Sequence, residues 1–161
     1  ALSFPYGCSG ENLDLAARAR LWEAGLDFMH GTGHGVGYLM NVHEGPQAIR
    51  WRHRKGAMTT ALEDGMVVSD EPGLYIEGEY GIRLENLLVC HEKETTDFGR
   101  FMNWEILTLA PFEREAVEDE LMEEGDRKLL NDYHRRVREK LFPLMKTREE
   151  KEWLWEATEA I

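Results

Sequence analysis

The side chains best suited to do chemistry in this sequence are His30, His34, His43, Glu71 and Glu85, and they fall in two short segments. HGTGHGVGYLMNVHEGP runs from His30 to Pro46, and SDEPGLYIEGEYGIRLENLLV from Ser69 to Val89. His34 is the strongest candidate metal ligand, because a neutral imidazole coordinates divalent transition ions and the glycines around it permit a close, rigid approach. Glu71 and Glu85 offer hard carboxylate oxygens. Two divalent ions about 3.5 to 4 Å apart in such a site polarise a carbonyl and activate a shared water. Three protein ligands are too few to hold that pair, so the set reads as half of a two-metal site. Each residue also fits an ordinary role: a histidine beside glycine is commonly structural, a glutamate at a strand end is commonly solvated, and Arg83 can simply pair with Glu85.

Spacing excludes other chemistries. No HExxH motif is present, and although His30 and His34 stand one helical turn apart, Gly31 and Gly33 oppose a helix there. No GxxxxGKS/T phosphate loop occurs. The Gly31-x-Gly33-x-Gly35 run lacks the ordered strand, helix and downstream acidic residue that a dinucleotide site needs.

These residues need elements to position them. Leu13, Ala17, Leu21 and Ala24 recur on one face between Asn12, a suitable cap, and Gly25, a natural stop, which predicts an amphipathic helix over 12–24. The glycines from Gly31 to Gly37 mark a segment of close backbone approach. A short strand is expected over 66–69, with Pro72-Gly73 as a turn signal. Beyond it, a two-residue period places Ile82, Leu84 and Asn86 on one strand face and Arg83, Glu85 and Leu87 on the other, so Arg83 and Glu85 should share a face. Another strand is expected over 106–110. Leu130, Tyr133, Val137 and Leu141 then follow helical spacing. Thr147 with Glu150 is a capping box for a last helix carrying Leu154, Ala157 and Ile161, and Trp153 and Trp155 are expected to pack this tail against the body. Short strands flanked by helices indicate an α+β class.

At 161 residues the chain is long enough for one domain with a substantial core. The expected organisation is one domain over 1–161 whose last part, from about residue 125 to 161, is a helical tail. A net charge of −12 disfavours nucleic acid as a partner. Eight of the sixteen residues over 111–126 are acidic and read as a solvated connector and helix face. The opening residues do not read as a signal peptide, and no apolar run approaches the roughly 18 residues of a membrane helix. A cytoplasmic location is therefore expected. Cys8 and Cys90 are too few and too far apart for a disulfide framework, and Cys90 reads as a small buried side chain.

Taken in order, HGTGHGVG, NVHEGP, DEPG and GIRLEN resemble the catalytic half of the Xaa-Pro aminopeptidase (aminopeptidase P) family of pita-bread metallopeptidases, in its long cytosolic form. The similarity continues through Leu107-Thr108-Leu109, Asn131-Asp132-Tyr133-His134 and the Trp-rich tail, and so covers nearly the whole chain. It implies an α+β fold that is the C-terminal half of a pita-bread (creatinase/aminopeptidase-like) catalytic domain. It implies His34, Glu71 and Glu85 as metal ligands, with Glu85 bridging both ions. His30 and His43 match non-ligand histidines that contact substrate and stabilise the reacting carbonyl, and Arg83 matches an arginine that buttresses the site. Glu71 is expected to shuttle the proton to the leaving proline nitrogen. The implied cofactor is two divalent ions, usually manganese, with zinc or cobalt as substitutes. The implied substrates are peptides with proline second, which lose the residue before it, and the implied parent is a homodimer.

The family draws two further aspartate ligands from the first half of its domain. Asp14 and Asp27 lie outside the expected motif, and Asp70 matches the residue before a ligand rather than a ligand. The chain is therefore read as a C-terminal fragment of a larger enzyme. Alone it is expected to be inactive, to bind ions weakly or not at all, and to self-associate through an uncovered sheet edge. A prolidase-type X-Pro dipeptidase uses the same general site, and a non-catalytic pita-bread interaction domain is the other alternative. The extended GVGYLMNVHEGP segment and the Trp-rich tail favour the aminopeptidase.

Overall fold

The computed structural model describes residues 2–53, Gly56 and 59–161. The chain divides between Thr108 and Leu109 into two compact units. In the first, strand β1 (Phe4–Pro5) leads to helix α1 (Gly10–Glu23) and to two very short strands, β2 (Gly33–His34) and β3 (Ala48–Ile49). Strands β4 (Val67–Asp70), β5 (Gly73–Ile76), β6 (Tyr80–Arg83), β7 (Asn86–Thr96) and β8 (Gly99–Ile106) follow. An antiparallel sheet forms in the order β1-β8-β7-β4, while β2 with β3 and β5 with β6 make separate two-stranded ladders. The core gathers Phe4, Ile49, Leu62, Val68, Leu88, Cys90 and Met102. Burying each of the larger of these side chains contributes about 1.5–3 kcal/mol. Cys90 is buried as expected, and burial pushes its thiol up to about 11, away from nucleophilic use.

Three expectations change. Helix α1 begins two residues earlier than the pattern suggests, because Ser9 is the cap and Asn12 completes the first turn by accepting the Ser9 N–H at 2.9 Å. Its most buried stripe is Gly10, Asp14 and Arg18, not the Leu13, Ala17, Leu21 and Ala24 face, since Asp14 and Arg18 neutralise and hydrogen-bond each other. Second, the single strand expected through 82–87 is broken at Leu84 and Glu85, with β6 and β7 in different ladders. The two-residue period cannot carry a face across that break. Third, β8 ends at Ile106, where the strand over 106–110 was to begin. Leu107 still donates to Leu87 O at 2.8 Å, but the continuous ladder stops there.

In the second unit, short 3-10 turns at Arg114–Ala116 and Asp119–Leu121 precede helix α2 (Glu124–Leu141). The acidic residues over 111–126 are all exposed, as a solvated run should be. Helix α2 buries Tyr133, His134 and Val137. Helix α3 (Arg148–Ala157) starts with the expected capping box: the Glu150 N–H donates to Thr147 Oγ1 at 3.1 Å, and Glu150 Oε2 accepts the Thr147 N–H at 2.9 Å. Trp153 and Trp155 are not packed away as expected. They are 57% and 53% exposed, and Trp155 instead meets Phe142 edge-on and carries the Arg138 guanidinium 4.4 Å from its ring centre.

Candidate active site

Strand β2 is only two residues long, yet it holds the centre of the site. One edge pairs with β3, where His34 faces Ala48, and the other lies against β4. The Glu71 N–H donates to Thr32 O at 2.7 Å, and the His34 N–H donates to Ser69 Oγ at 3.0 Å. Gly33 is what allows this approach, because a Cβ there would stand 1.8 Å from Ser69 O. The glycine between Thr32 and His34 thus sets His34 beside the end of β4, where Glu71 follows Asp70.

Two histidines have their tautomers set by carbonyls. His34 Nδ1 is 3.0 Å from Gly35 O and must carry a hydrogen, so Nε2 is the ring nitrogen free to offer a lone pair to a metal ion. Nε2 faces Glu71 Oε1 at 3.2 Å. Two electron-rich atoms so placed call for a proton or a cation between them. Glu71 is mostly buried, its Oε1 accepts from Ser69 Oγ at 2.8 Å, and its Oε2 lies 3.4 Å from the Arg83 guanidinium. The His43 ring packs at a tilt against His34, with ring centres 4.1 Å apart.

His30 joins the same centre by another route. Its Nδ1 hydrogen is held by Gly31 O at 2.7 Å, which leaves Nε2 to accept from the Tyr75 hydroxyl at 2.9 Å. Tyr75 in turn accepts from Arg83 Nε at 2.8 Å. Its ring lies across Gly81, where a Cβ would meet it at 2.8 Å. The hydrogen bond to Tyr75, with help from Glu71 and Glu85, raises the Arg83 pKa further and keeps it charged. His30, His34, His43, Glu71 and Arg83 all line one cavity of about 530 Å³. Burial, and secondarily the neighbouring Glu71 charge, push Asp70 up to about 6.

Glu85 is brought less close. It occupies the break between β6 and β7, is exposed, and reaches the cluster through its charge on Arg83. Among the described residues no three His, Cys, Asp or Glu side chains converge to hold an ion. The donor set that does converge, an imidazole nitrogen facing a carboxylate oxygen, suits a divalent transition ion. Asp14 and Asp27, set aside as ligands, are engaged by Arg18 at 2.6 and 2.7 Å.

Tyr75 and Arg18 escaped the sequence reading. A hairpin reading of GLYIEGEYGIR would have found Tyr75, since the register sets it opposite Gly81 and Gly73 opposite Arg83. Arg18 gave no such signal, because a cation on a helix reads as solvated until tertiary partners surround it.

Residues 1–92 match metallopeptidase family M24, and residues 100–161 match the C-terminal region of peptidase M24. The chain belongs to metallopeptidase family M24. Among M24-type relatives, Arabidopsis thaliana aminopeptidase P2 is 46% identical over 158 residues, 96% of this chain and 22% of that protein. Dictyostelium discoideum Xaa-Pro aminopeptidase 1 is 42% identical over 157 residues, 96% of this chain and 25% of that protein. The chain thus spans about a quarter of the length of the curated relatives it matches. The crystal structure of the Caenorhabditis elegans X-prolyl aminopeptidase, described as a cytosolic enzyme with a di-nuclear active site, superposes with a TM-score of 0.87. It is 39% identical and covers 99% of this chain, which covers 26% of it. A Bacillus anthracis Xaa-Pro dipeptidase reaches a TM-score of 0.50 at 34% identity, covering 68% of this chain, which covers 27% of it. The α+β, pita-bread architecture expected from the resemblance to Xaa-Pro aminopeptidases holds.

Proposed function

We propose that the protein to which this chain belongs is a dinuclear-metal Xaa-Pro aminopeptidase that releases the amino-terminal residue preceding proline. The observation that carries this reading is His34 Nε2 set 3.2 Å from Glu71 Oε1 in a cavity shared with His30 and His43. In the proposal His34, Glu71 and Glu85 are the ligands this chain supplies, and two aspartates elsewhere in the protein complete the set. A bound pair of divalent ions, manganese by preference with zinc or cobalt in its place, supplies Lewis-acid polarisation of the scissile carbonyl and a water acidic enough to ionise near neutrality.

The chain's own residues do the rest. His43 donates toward the oxyanion that forms as the carbonyl is attacked, which lowers the barrier where the charge develops. His30, its Nδ1 hydrogen held by Gly31 O and its Nε2 by the Tyr75 hydroxyl, contacts and positions the substrate through its ring. Glu71 takes a proton from the attacking water and delivers it to the departing proline nitrogen. Arg83 holds Glu71 Oε2 and fixes the carboxylate's orientation. A cytosolic location and a homodimeric parent belong to the same proposal. So does self-association of the isolated chain, supported by the exposed apolar run of Tyr38, Leu39 and Met40.

Similarity over 96% of the chain to proteins named Xaa-Pro aminopeptidase 1 and aminopeptidase P2 supports aminopeptidase over prolidase chemistry. Assay of the full-length protein with divalent ions against an X-Pro dipeptide and an X-Pro-X tripeptide tests this. Faster cleavage of the tripeptide is expected. Cleavage of the dipeptide alone moves the protein to the prolidases, and no cleavage of either makes it a non-catalytic member.

A further inference from the structure

Arg18 belongs to none of the chemical motifs, yet its guanidinium is fully buried and faces the segment that carries His30. Its Nε donates to Asp14 at 2.6 Å, Nη1 to Asp27 at 2.7 Å and to Phe28 O at 2.6 Å, and Nη2 to His30 O at 2.7 Å. The guanidinium also lies 3.7 Å from the centre of the Phe28 ring. Asp14 extends the grip by accepting from the Thr32 hydroxyl at 2.7 Å. One helical ion pair thus holds four points along residues 27–32.

That segment has no regular secondary structure between α1 and β2. No ladder fixes the Phe28 and His30 carbonyls, so something else must, and a planar fork of donors does so at low entropic cost. The His30 ring depends on this main chain twice. Its Cα is placed by the peptide whose carbonyl Arg18 binds, and its Nδ1 hydrogen is held by the next carbonyl, Gly31 O. We infer that Arg18, braced by Asp14, is a positioning residue for His30: it fixes the backbone on either side of that imidazole and so sets the ring's aim and tautomer. The inference rests on the role proposed for His30, and it concerns placement rather than contact with substrate.

The test uses the full-length protein with manganese and an X-Pro-X tripeptide. Arg18→Lys keeps the charge beside Asp14, but one ammonium cannot reach two carboxylates and two carbonyls together. Loss of near-attack geometry predicts a kcat about 100-fold lower in the native background. In a His30→Ala background the same change should cost less than about 3-fold, since residues acting through one another are not additive. Equal losses in both backgrounds would make Arg18 merely structural and overturn the inference. A second arm needs no activity: nitrogen chemical shifts of the His30 ring should move from a fixed Nδ1–H tautomer toward a mixture in Arg18→Lys, with His134 unchanged. A native His30 spectrum overturns the inference. Asp27→Asn, at the 25% exposed end of the grip, should show the same pattern at about 10-fold in kcat, and serves if Arg18→Lys does not fold. Absence of X-Pro cleavage overturns the proposed function, and the ring spectrum then decides the placement alone.

Discussion

Replacing Gly33 by alanine should damage fold and site together, and the size of the effect follows from one contact. The added Cβ would sit 1.8 Å from Ser69 O and 2.8 Å from Ser69 C, both backbone atoms that no rotamer change can move. Ordinary contact begins near 3.4 Å, so β2 and β4 must part by about 1.6 Å. Hydrogen bonds of 2.7 Å from Glu71 N–H to Thr32 O and 3.0 Å from His34 N–H to Ser69 Oγ cannot survive that separation. Two lost hydrogen bonds at about 1 kcal/mol each, added to about 1–3 kcal/mol of overpacking, make a loss of about 3–5 kcal/mol. With a urea slope of about 2 kcal/mol/M the unfolding midpoint should fall by roughly 2 M. His34 Nε2 and Glu71 Oε1 would separate as well, so ion affinity of the full-length protein, measured by calorimetry, should drop with stability. Gly125→Ala is the control: no atom lies within 4 Å of its Cβ position in α2, and the substitution should stabilise by about 0.5–1 kcal/mol. A Gly33→Ala protein with an unchanged midpoint and unchanged ion affinity would refute the close-approach argument.

Other expectations separate the roles of neighbouring residues. In the full-length protein, His34→Ala should abolish stoichiometric binding at one ion site by calorimetry. His30→Ala should keep the ions and lose turnover by about 100-fold through lost substrate positioning. Manganese titrated into this chain alone should bind weakly or not at all, and tight uptake of two ions per chain would show that its own residues complete the site. Burial lowers the pKa of His134, whose Nε2 accepts the Phe112 N–H at 3.1 Å. Its unfolded form takes up a proton near pH 6.5 while the folded form resists it. Stability should therefore be fully present above that pH and fall on acidification, by at most about 1.4 kcal/mol per pH unit. Urea titrations at pH 7.5 and 5.5 should show this slope shrinking in His134→Gln. Thr147→Ala removes the cap of α3 and should cost about 1 kcal/mol in the same assay, well below the Gly33 effect.

What sequence determined here is chemical type and local order. Histidines and carboxylates beside glycine turns fit half of a metal site as well as ordinary structural roles, and it is the order of their motifs that names the family. Thr147 with Glu150 declares a helix start, since both partners of a capping box lie within one turn. Helix α2 was readable for the same reason: its stripe repeats within one element. Tertiary structure alone decided which partners meet. The register that sets Tyr75 across Gly81 and near Arg83 joins residues eight apart, and β4 meets β2 from 35 residues away. The break at Leu84 and Glu85 depends on two ladders competing for the same strand, a contest invisible in alternation. Arg18 is the plainest case. A cation on a helix becomes a buried brace only when carboxylates and carbonyls from another segment close around it, and the energy that keeps it there exists only in the folded chain.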